Sequence, residues 1–166
     1  RVNVEATLYE RSWAQPQDGF AVLQTVRTED DAVPWAVVED VTIAGNVIRR
    51  SACGINIMGI DDGSAQRRGR TRRIAIRNNL FDEIGGPQWG SGSRLFQLLD
   101  GSEDVVLSHN TALNAGTIVF GERAPHRGFV LADNIVVHNE YGIVGSGTGV
   151  GLPTPERYFP DARVPN

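Results

Sequence analysis

Residues 74–81 read IAIRNNLF, and a similar octet, FVLADNIV, occupies residues 129–136. Two more octets, VTIAGNVI at 41–48 and VVLSHNTA at 105–112, align with these two without gaps. Each octet has apolar residues at positions one and three and an asparagine at position six: Asn46, Asn79, Asn110 and Asn134. Successive asparagines are 33, 31 and 24 residues apart. A repeat of this length predicts a stacked array rather than a globule around one central core.

A second apolar run follows each octet after a turn of variable length, as in GINIMG at 54–59 and RLFQLL at 94–99. A weaker fifth copy of the octet, VNVEATLY at 2–9, carries Thr7 in place of the asparagine. Apolar residues alternate or bunch, and no stretch has a convincing helical period. The pattern predicts about five coils of short strands, stacked in parallel at about 4.8 Å, that bury their inward side chains in one column.

The repeated asparagine falls at a strand end, where the chain turns. An asparagine there tolerates left-handed backbone, and its amide can hydrogen-bond the equivalent amide on the next coil. Stacked amides of this kind also stabilise cross-β arrays. We therefore predict a structural ladder of asparagines along one corner of the stack.

The composition limits the classes of function. The chain has 166 residues and a formal net charge of −4, so it lacks the positive field that nucleic acid requires. All 16 cationic residues are arginine, and the single cysteine, Cys53, leaves no partner for an intrachain disulfide. No apolar run is long enough to span a membrane. No CxxC, HExxH or GxGxxG motif occurs, which leaves zinc and dinucleotide functions without support.

Three stretches carry a resemblance to a known family: VEDVTIAGNVIRRSACGINIMG at 38–59, RRIAIRNNLFDEIGG at 72–86 and RGFVLADNIVVHNEYGIVG at 127–145. They resemble the right-handed parallel β-helix proteins of the pectate-lyase-like superfamily, and more narrowly the uncharacterised secreted bacterial β-helix repeat proteins. The resemblance implies an all-β, right-handed, single-stranded parallel β-helix. It also implies that residues 1–166 are one region of a longer solenoid, with adjoining coils outside this stretch, and that the protein is extracellular or on the cell surface.

Characterised members of that superfamily are mostly polysaccharide lyases and glycoside hydrolases, so we examined the chain for paired carboxylates. Only fragments of the polygalacturonase pattern occur, chiefly the Asp61–Asp62 pair, and glycoside hydrolysis needs two carboxylates at a suitable separation. Lyase chemistry instead needs a base and a cation that neutralises the uronate carboxylate. The resemblance implies an arginine base and acidic calcium ligands. The residues that fit these catalytic roles are Asp61, Asp62, Asp100, Arg94 and His126.

Several of the same carboxylates are candidates for a Ca²⁺ site. Stacking would bring the loops that follow the second strand of each coil side by side, and hard oxygen ligands suit Ca²⁺. The expected ligands are Asp61, Asp62, Asp100 and Glu122. The alternative is that these carboxylates pair with loop arginines: Arg67, Arg68, Arg94 or Arg127. Exposed pairs of that kind contribute little individually.

Aromatic residues supply a candidate sugar surface. Trp13 and Trp89 lie in loops before the second strand of coils one and three, and the short coil between them carries Arg49 and Arg50. Tryptophan walls and an arginine floor would suit an acidic glycan. The alternative is that both indoles cover strand edges, and Trp35 looks like a loop-packing residue.

The turn between the two strands predicts a second ladder, of charges. Arg49 and Arg50 on one coil align with Asp82 and Glu83 on the next. Opposite charges on adjacent strands favour cross-strand pairing. We interpret this column as a register device.

Two functions remain open from the sequence. The first is an extracellular protein that binds an acidic polysaccharide, with lyase or glycosidase cleavage as a further option. The second is a non-catalytic surface scaffold, adhesin-like or phage-derived. Fold alone does not decide between them.

Overall fold

The computed structural model describes residues 4–5, 19–61, 63, 69–89, 93–137 and 142–165. The strands form three sheets. In spatial order, sheet A contains β1 (Val4–Glu5), β4 (Val47–Ser51), β7 (Leu80–Ile84), β10 (Thr111–Asn114) and β13 (Ile135–Val136). Sheet B contains β15 (Gly149–Val150), β14 (Ile143–Gly145), β11 (Thr117–Glu122), β8 (Arg94–Leu99), β5 (Cys53–Met58) and β2 (Phe20–Thr25). Sheet C contains β12 (Val130–Ala132), β9 (Glu103–Ser108), β6 (Arg72–Arg77) and β3 (Glu39–Ala44).

The chain passes through sheets C, A and B in turn, so each strand up to β11 pairs with the strand three places later. These pairs are all parallel, and among the described strands only β14 and β15 pair antiparallel. The predicted all-β class with parallel strand stacking is therefore confirmed.

The core lies between the three sheets and consists of the inward residues of each strand. Ile74 pairs in register with Val105 in sheet C, and Ile55 pairs with Phe96 in sheet B. The Phe96 ring meets the sheet A residue Phe81 edge to face, with ring centroids 5.3 Å apart. All five side chains are buried. Because apolar side chains recur at the same register position, each coil extends one continuous column.

The asparagine ladder is confirmed. Asn79 Oδ1 accepts hydrogen bonds from the Asn46 amide group and backbone N–H, and Asn110 Oδ1 does the same for Asn79. Asn134 Oδ1 accepts the equivalent bonds from Asn110. The fifth position, Thr7, lies outside the described residues. Each rung is preceded by a residue in the left-handed region, with φ between 53° and 70°: Gly45, Asn78, His109 and Asp133.

Among the described residues one α-helix, α1 (Pro153–Tyr158), interrupts the β architecture, and a helix of six residues is too short for periodicity analysis to detect. Tyr158 and Phe159 are buried in the core cluster. Phe159 packs on Phe129 with ring centroids 4.6 Å apart, and Arg163 forms an isolated parallel β-bridge with Val130. We call the segment 153–163 the C-terminal cap. No helix in the described part of the chain is long and apolar enough to cross a lipid bilayer.

Candidate functional site

Asp61, a candidate catalytic and metal-binding residue, joins two loops. Its Oδ2 accepts hydrogen bonds from the backbone N–H of Thr28 (2.7 Å) and from the Thr28 hydroxyl (2.9 Å). Its Oδ1 accepts from the Gly63 N–H and lies 3.3 Å from Nη1 of Arg27. The Thr28 N–H is the main cause that lowers the pKa of Asp61, although burial opposes it. The carboxylate is therefore ionised and occupied by the loop that follows β2.

Asp100 and Glu122 lie on adjacent coils. The Asp100 N–H donates to the Glu122 carbonyl at 3.3 Å, while the Asp100 carboxylate lies 3.2 Å from Nη1 of Arg123. Asp62, the fourth expected metal ligand, lies outside the described residues. Within the described ranges, no three His, Cys, Asp or Glu side chains group closely enough to hold a metal ion.

Two of these carboxylates do pair with arginine, although not with the arginines that were predicted. Asp61 pairs with Arg27, and Asp100 pairs with Arg123. Neither arginine was among the predicted partners, of which Arg67 and Arg68 lie outside the described residues. Both actual partners belong to loops whose lengths differ from coil to coil, so octet alignment could not place them.

His126, another candidate catalytic residue, is fully buried. Its Nδ1 accepts a hydrogen bond from the Ser102 N–H at 3.0 Å and lies 2.9 Å from the Ser102 hydroxyl. Its ring stacks on Phe159 with centroids 5.4 Å apart. Burial lowers the pKa of His126 to about 4. A neutral ring in this position can organise structure but has no open path to a substrate.

Arg94 lies along the outer face of sheet B. Phe96 and Leu98 face the core, so Gln97 lies on the opposite side of sheet B. Arg94 has the same parity as Phe96 at the start of β8, but its guanidinium reaches the side on which Gln97 and Phe120 lie. One outward row, which we call the sheet B row, runs in register across five strands: Leu23, Asn56, Gln97, Phe120 and Val144. The Arg94 guanidinium lies 4.1 Å from the Phe120 ring centroid and donates to Gln97 Oε1 at 2.8 Å.

The sheet B row also contains a buried polar atom without a partner. Asn56 is 6% exposed, and its Oδ1 makes no hydrogen bond within the described part of the chain. A buried acceptor without a donor is costly, so such atoms merit an explanation. Together the row and Arg94 bring a half-buried guanidinium, a half-buried aromatic ring and two buried amides side by side.

The predicted trough is only partly visible. Arg49 pairs in register with Asp82, and Arg50 Nε lies 3.6 Å from Glu83 Oε2. The predicted charge ladder is therefore confirmed for the Arg50 pair. Trp89 closes a 3₁₀ turn at Pro87–Trp89 and is half-buried, with a buried indole Nε1 that has no acceptor among the described residues. Trp13, the other wall, lies outside the described residues.

The interpretation of Trp35 as a loop-packing residue is wrong, because its side chain is 74% exposed. Its loop is nevertheless fixed at the base by the Asp61–Thr28 hydrogen bonds, and the Ala36 N–H donates to the Val33 carbonyl. The indole of Trp35 is therefore exposed to solvent on a loop whose backbone is fixed by hydrogen bonds.

A second column of charged side chains, at the first residues of the sheet C strands, was not predicted from the sequence. Arg73 donates to both carboxylate oxygens of Asp40, at 2.6 and 2.8 Å, and also to Glu39. Further along, Arg70 pairs with Glu103 at 3.3 Å. The signal was present, because charged pairs precede three octets: Glu39–Asp40, Arg72–Arg73 and Glu103–Asp104.

Comparison with known proteins gives no relative for this chain. No family model, curated protein or solved structure matches it.

Proposed function

We propose that this chain is a region of a right-handed parallel β-helix of about five coils, of the pectate-lyase-like kind, and that it binds an acidic polysaccharide outside the cell. The fold part is supported by the order of strands in the three sheets and by the asparagine ladder. The binding part rests on the sheet B row.

The single observation that carries the binding proposal is Arg94 stacked on Phe120 beside Gln97. A guanidinium held against an aromatic ring is already oriented, so less entropy is lost when it binds a carboxylate in bidentate fashion. Asn56 and Gln97 are buried, so the polar and aromatic groups of this cluster that a sugar can contact are the half-buried Arg94 and Phe120, whose ring face offers apolar contact. A uronate residue carries both a carboxylate and an apolar ring face.

Binding is favoured over cleavage because the candidate catalytic groups already have structural partners. The Asp61 carboxylate accepts bonds from Thr28 and Gly63, and His126 is buried against Phe159. Neither side chain can reach a bound sugar without breaking its own contacts.

The proposal is tested by calorimetric titration of polygalacturonate into the 166-residue chain. We expect binding that weakens at least about tenfold in Arg94→Ala, which corresponds to about 1.4 kcal/mol. Arg157→Ala is the matched control, since that guanidinium also lies over an aromatic ring, 5.2 Å from the Tyr158 centroid. Equal losses in both variants, or no binding by the wild type, would contradict the proposal.

Cleavage and calcium are tested in parallel. Lyase products carry a double bond that absorbs in the ultraviolet, so an absorbance rise on mixing with uronate polymers would establish cleavage. If Ca²⁺ binds the folded chain, millimolar Ca²⁺ must raise the thermal unfolding midpoint by mass action. An unchanged midpoint would assign Asp61, Asp100 and Glu122 to loop structure alone.

The second candidate function, a non-catalytic scaffold, is favoured by the same occupied side chains. In that case the wild type binds none of the uronate polymers, and Arg94→Ala changes no interaction with them. The stack then serves as a rigid spacer, for which a continuous core and stacked amides are sufficient.

A further inference from the structure

The C-terminal cap packs against β11 and β14 through aromatic side chains. Gly121 on β11 and Gly145 on β14 leave no room for a Cβ because the Tyr158 ring lies against them. Phe159 packs on Phe129, and the Arg163 N–H donates to the Phe129 carbonyl at 2.9 Å. If the cap detached, these aromatic surfaces would be exposed to water.

His126 joins the cap to the stack. Its backbone N–H donates to the Tyr158 carbonyl at 2.7 Å, and its ring lies 5.4 Å from Phe159 at an interplanar angle of 26°. On the other side, Nδ1 accepts from Ser102 in the turn between β8 and β9. One side chain therefore touches the cap and the preceding coil at once.

The Ser102 contact requires a neutral imidazole. Nδ1 can accept the Ser102 N–H only while it carries no proton, so the single ring proton must sit on Nε2. Protonation would place a second proton on Nδ1, and two N–H donors would then face each other. Nε2 is buried and makes no hydrogen bond with the described residues, while the Leu98 backbone partly opposes the effect of burial on the pKa of the ring.

Among the described residues, no carboxylate pairs with His126, and the charge that acts on its pKa is that of Arg70. The charged groups on the surrounding elements are Arg70, Asp100, Glu103, Asp104, Glu122, Arg123, Arg127, Glu156, Arg157, Asp161 and Arg163. Three of these carboxylates already face an arginine: Glu103 faces Arg70 at 3.3 Å, Asp100 faces Arg123 at 3.2 Å and Asp161 faces Arg127 at 4.0 Å. Arg70 lies close enough to add repulsion to a protonated His126 ring.

We propose that His126 is an acid-sensitive latch: its protonation breaks the Ser102 contact and releases the C-terminal cap from the end of the stack. The ring must leave the Ser102 pocket to find water, and it then loses its stacking on Phe159. The exposed rings of Phe129 and Phe159 would make the acid-treated chain associate with other copies.

The direction of the pH effect follows from linkage. Burial lowers the pKa of His126 to about 4 in the closed state, against 6.5 for a free imidazole. The open state therefore binds more protons, and the latch holds fully above pH 6.5 and weakens as the pH falls toward 4. Between pH 7.5 and pH 5 the open-to-closed ratio should rise about 30-fold.

Hydrogen exchange of the cap peptides, corrected for intrinsic rates, measures this ratio. We expect protection in residues 153–163 to fall about 30-fold from pH 7.5 to pH 5, while protection in β5 stays constant. His126→Asn should remove the pH dependence, because an amide oxygen can still accept the Ser102 N–H but does not titrate. His109→Asn is the matched control, since that histidine is exposed and lies 3.7 Å from Asp133.

Two results would overturn the latch. One is a wild-type cap whose protection is the same at both pH values, and the other is an equal loss in His126→Asn. If that variant does not fold, NMR titration of the His126 ring in the wild-type protein provides the test. Ring titration should coincide with cap opening, and a ring that titrates near pH 6.5 under a closed cap would refute the proposal.

Discussion

Two corners of the stack repeat the same backbone device with opposite chemistry. At the corner between sheets C and A, a left-handed residue precedes each buried ladder asparagine, as Asn78 precedes Asn79. At the start of sheet C, left-handed residues recur as exposed charges, as in Asp40 and Arg73. Both corners hold the coils in register. They differ in what water can do when a contact is lost, because water replaces an exposed ion pair but cannot reach a buried amide.

The largest expected effect is the loss of a central rung. Asn79→Ala removes the acceptor of the Asn46 N–H and the donor that reaches the Ile43 carbonyl at 2.9 Å. Both groups are then left without partners, which should lower the free energy of unfolding by about 3 kcal/mol. Urea unfolding at neutral pH measures this.

Asn134→Ala is the control for that rung. Asn134→Ala likewise removes the acceptor of the Asn110 N–H and the donor to the Leu107 carbonyl, but Asn134 is half-buried, so water can replace part of what is lost. Its replacement should therefore cost roughly half as much as that of Asn79. Equal losses at the two positions would show that burial does not set the cost of losing a rung.

The ladder was predictable because each octet carries its asparagine at the same position, so alignment of the octets gives the register. The core followed from the same alignment, as Ile74 and Val105 show. The contacts of Asp61 and His126 were not predictable, because their partners Thr28 and Ser102 lie in or beside loops of unequal length. Trp35 was misjudged because exposure depends on how a loop is held, and the contact that holds this loop joins Thr28 to Asp61, which are 33 residues apart.

Asp61 shares one property with each corner: it is buried like the ladder asparagines, and it is charged like the first residues of the sheet C strands. Asp61→Asn would turn an NH₂ group toward the Thr28 or Gly63 N–H, so we expect a loss of about 2 kcal/mol at pH 7. The folded pKa is lowered below the ordinary value of 3.8, so the wild type should lose this stabilisation as the pH falls through the folded value.

The measurement is urea unfolding of the wild type and Asp61→Asn at pH 7 and at pH 3. The difference between them should shrink at the lower pH, whereas the Asn79→Ala difference should stay constant because amides do not titrate. A constant difference for Asp61 would mean that its charge adds nothing to the hydrogen bonds.

The smallest effect is expected at the start of sheet C, although its geometry is the most regular. Hydrogen bonds from Arg72 and Arg73 lower the pKa of Glu39, and the bond from Arg73 lowers that of Asp40. Their contribution is therefore present above pH 4.5 and 3.8 and is lost as the pH falls below those values. The side chains of Glu39, Asp40 and Arg73 are exposed to a degree that lets salt screen them, so Arg73→Ala should shift the urea midpoint less than Asp61→Asn. At about 1 M NaCl the shift should vanish.

The charge exchange Asp40→Arg with Arg73→Asp should restore the midpoint in low salt, since the pair forms across parallel strands in either order. A midpoint shift that persists in high salt, or that the exchange fails to restore, would place the function of Arg73 in its left-handed backbone and not in its charge.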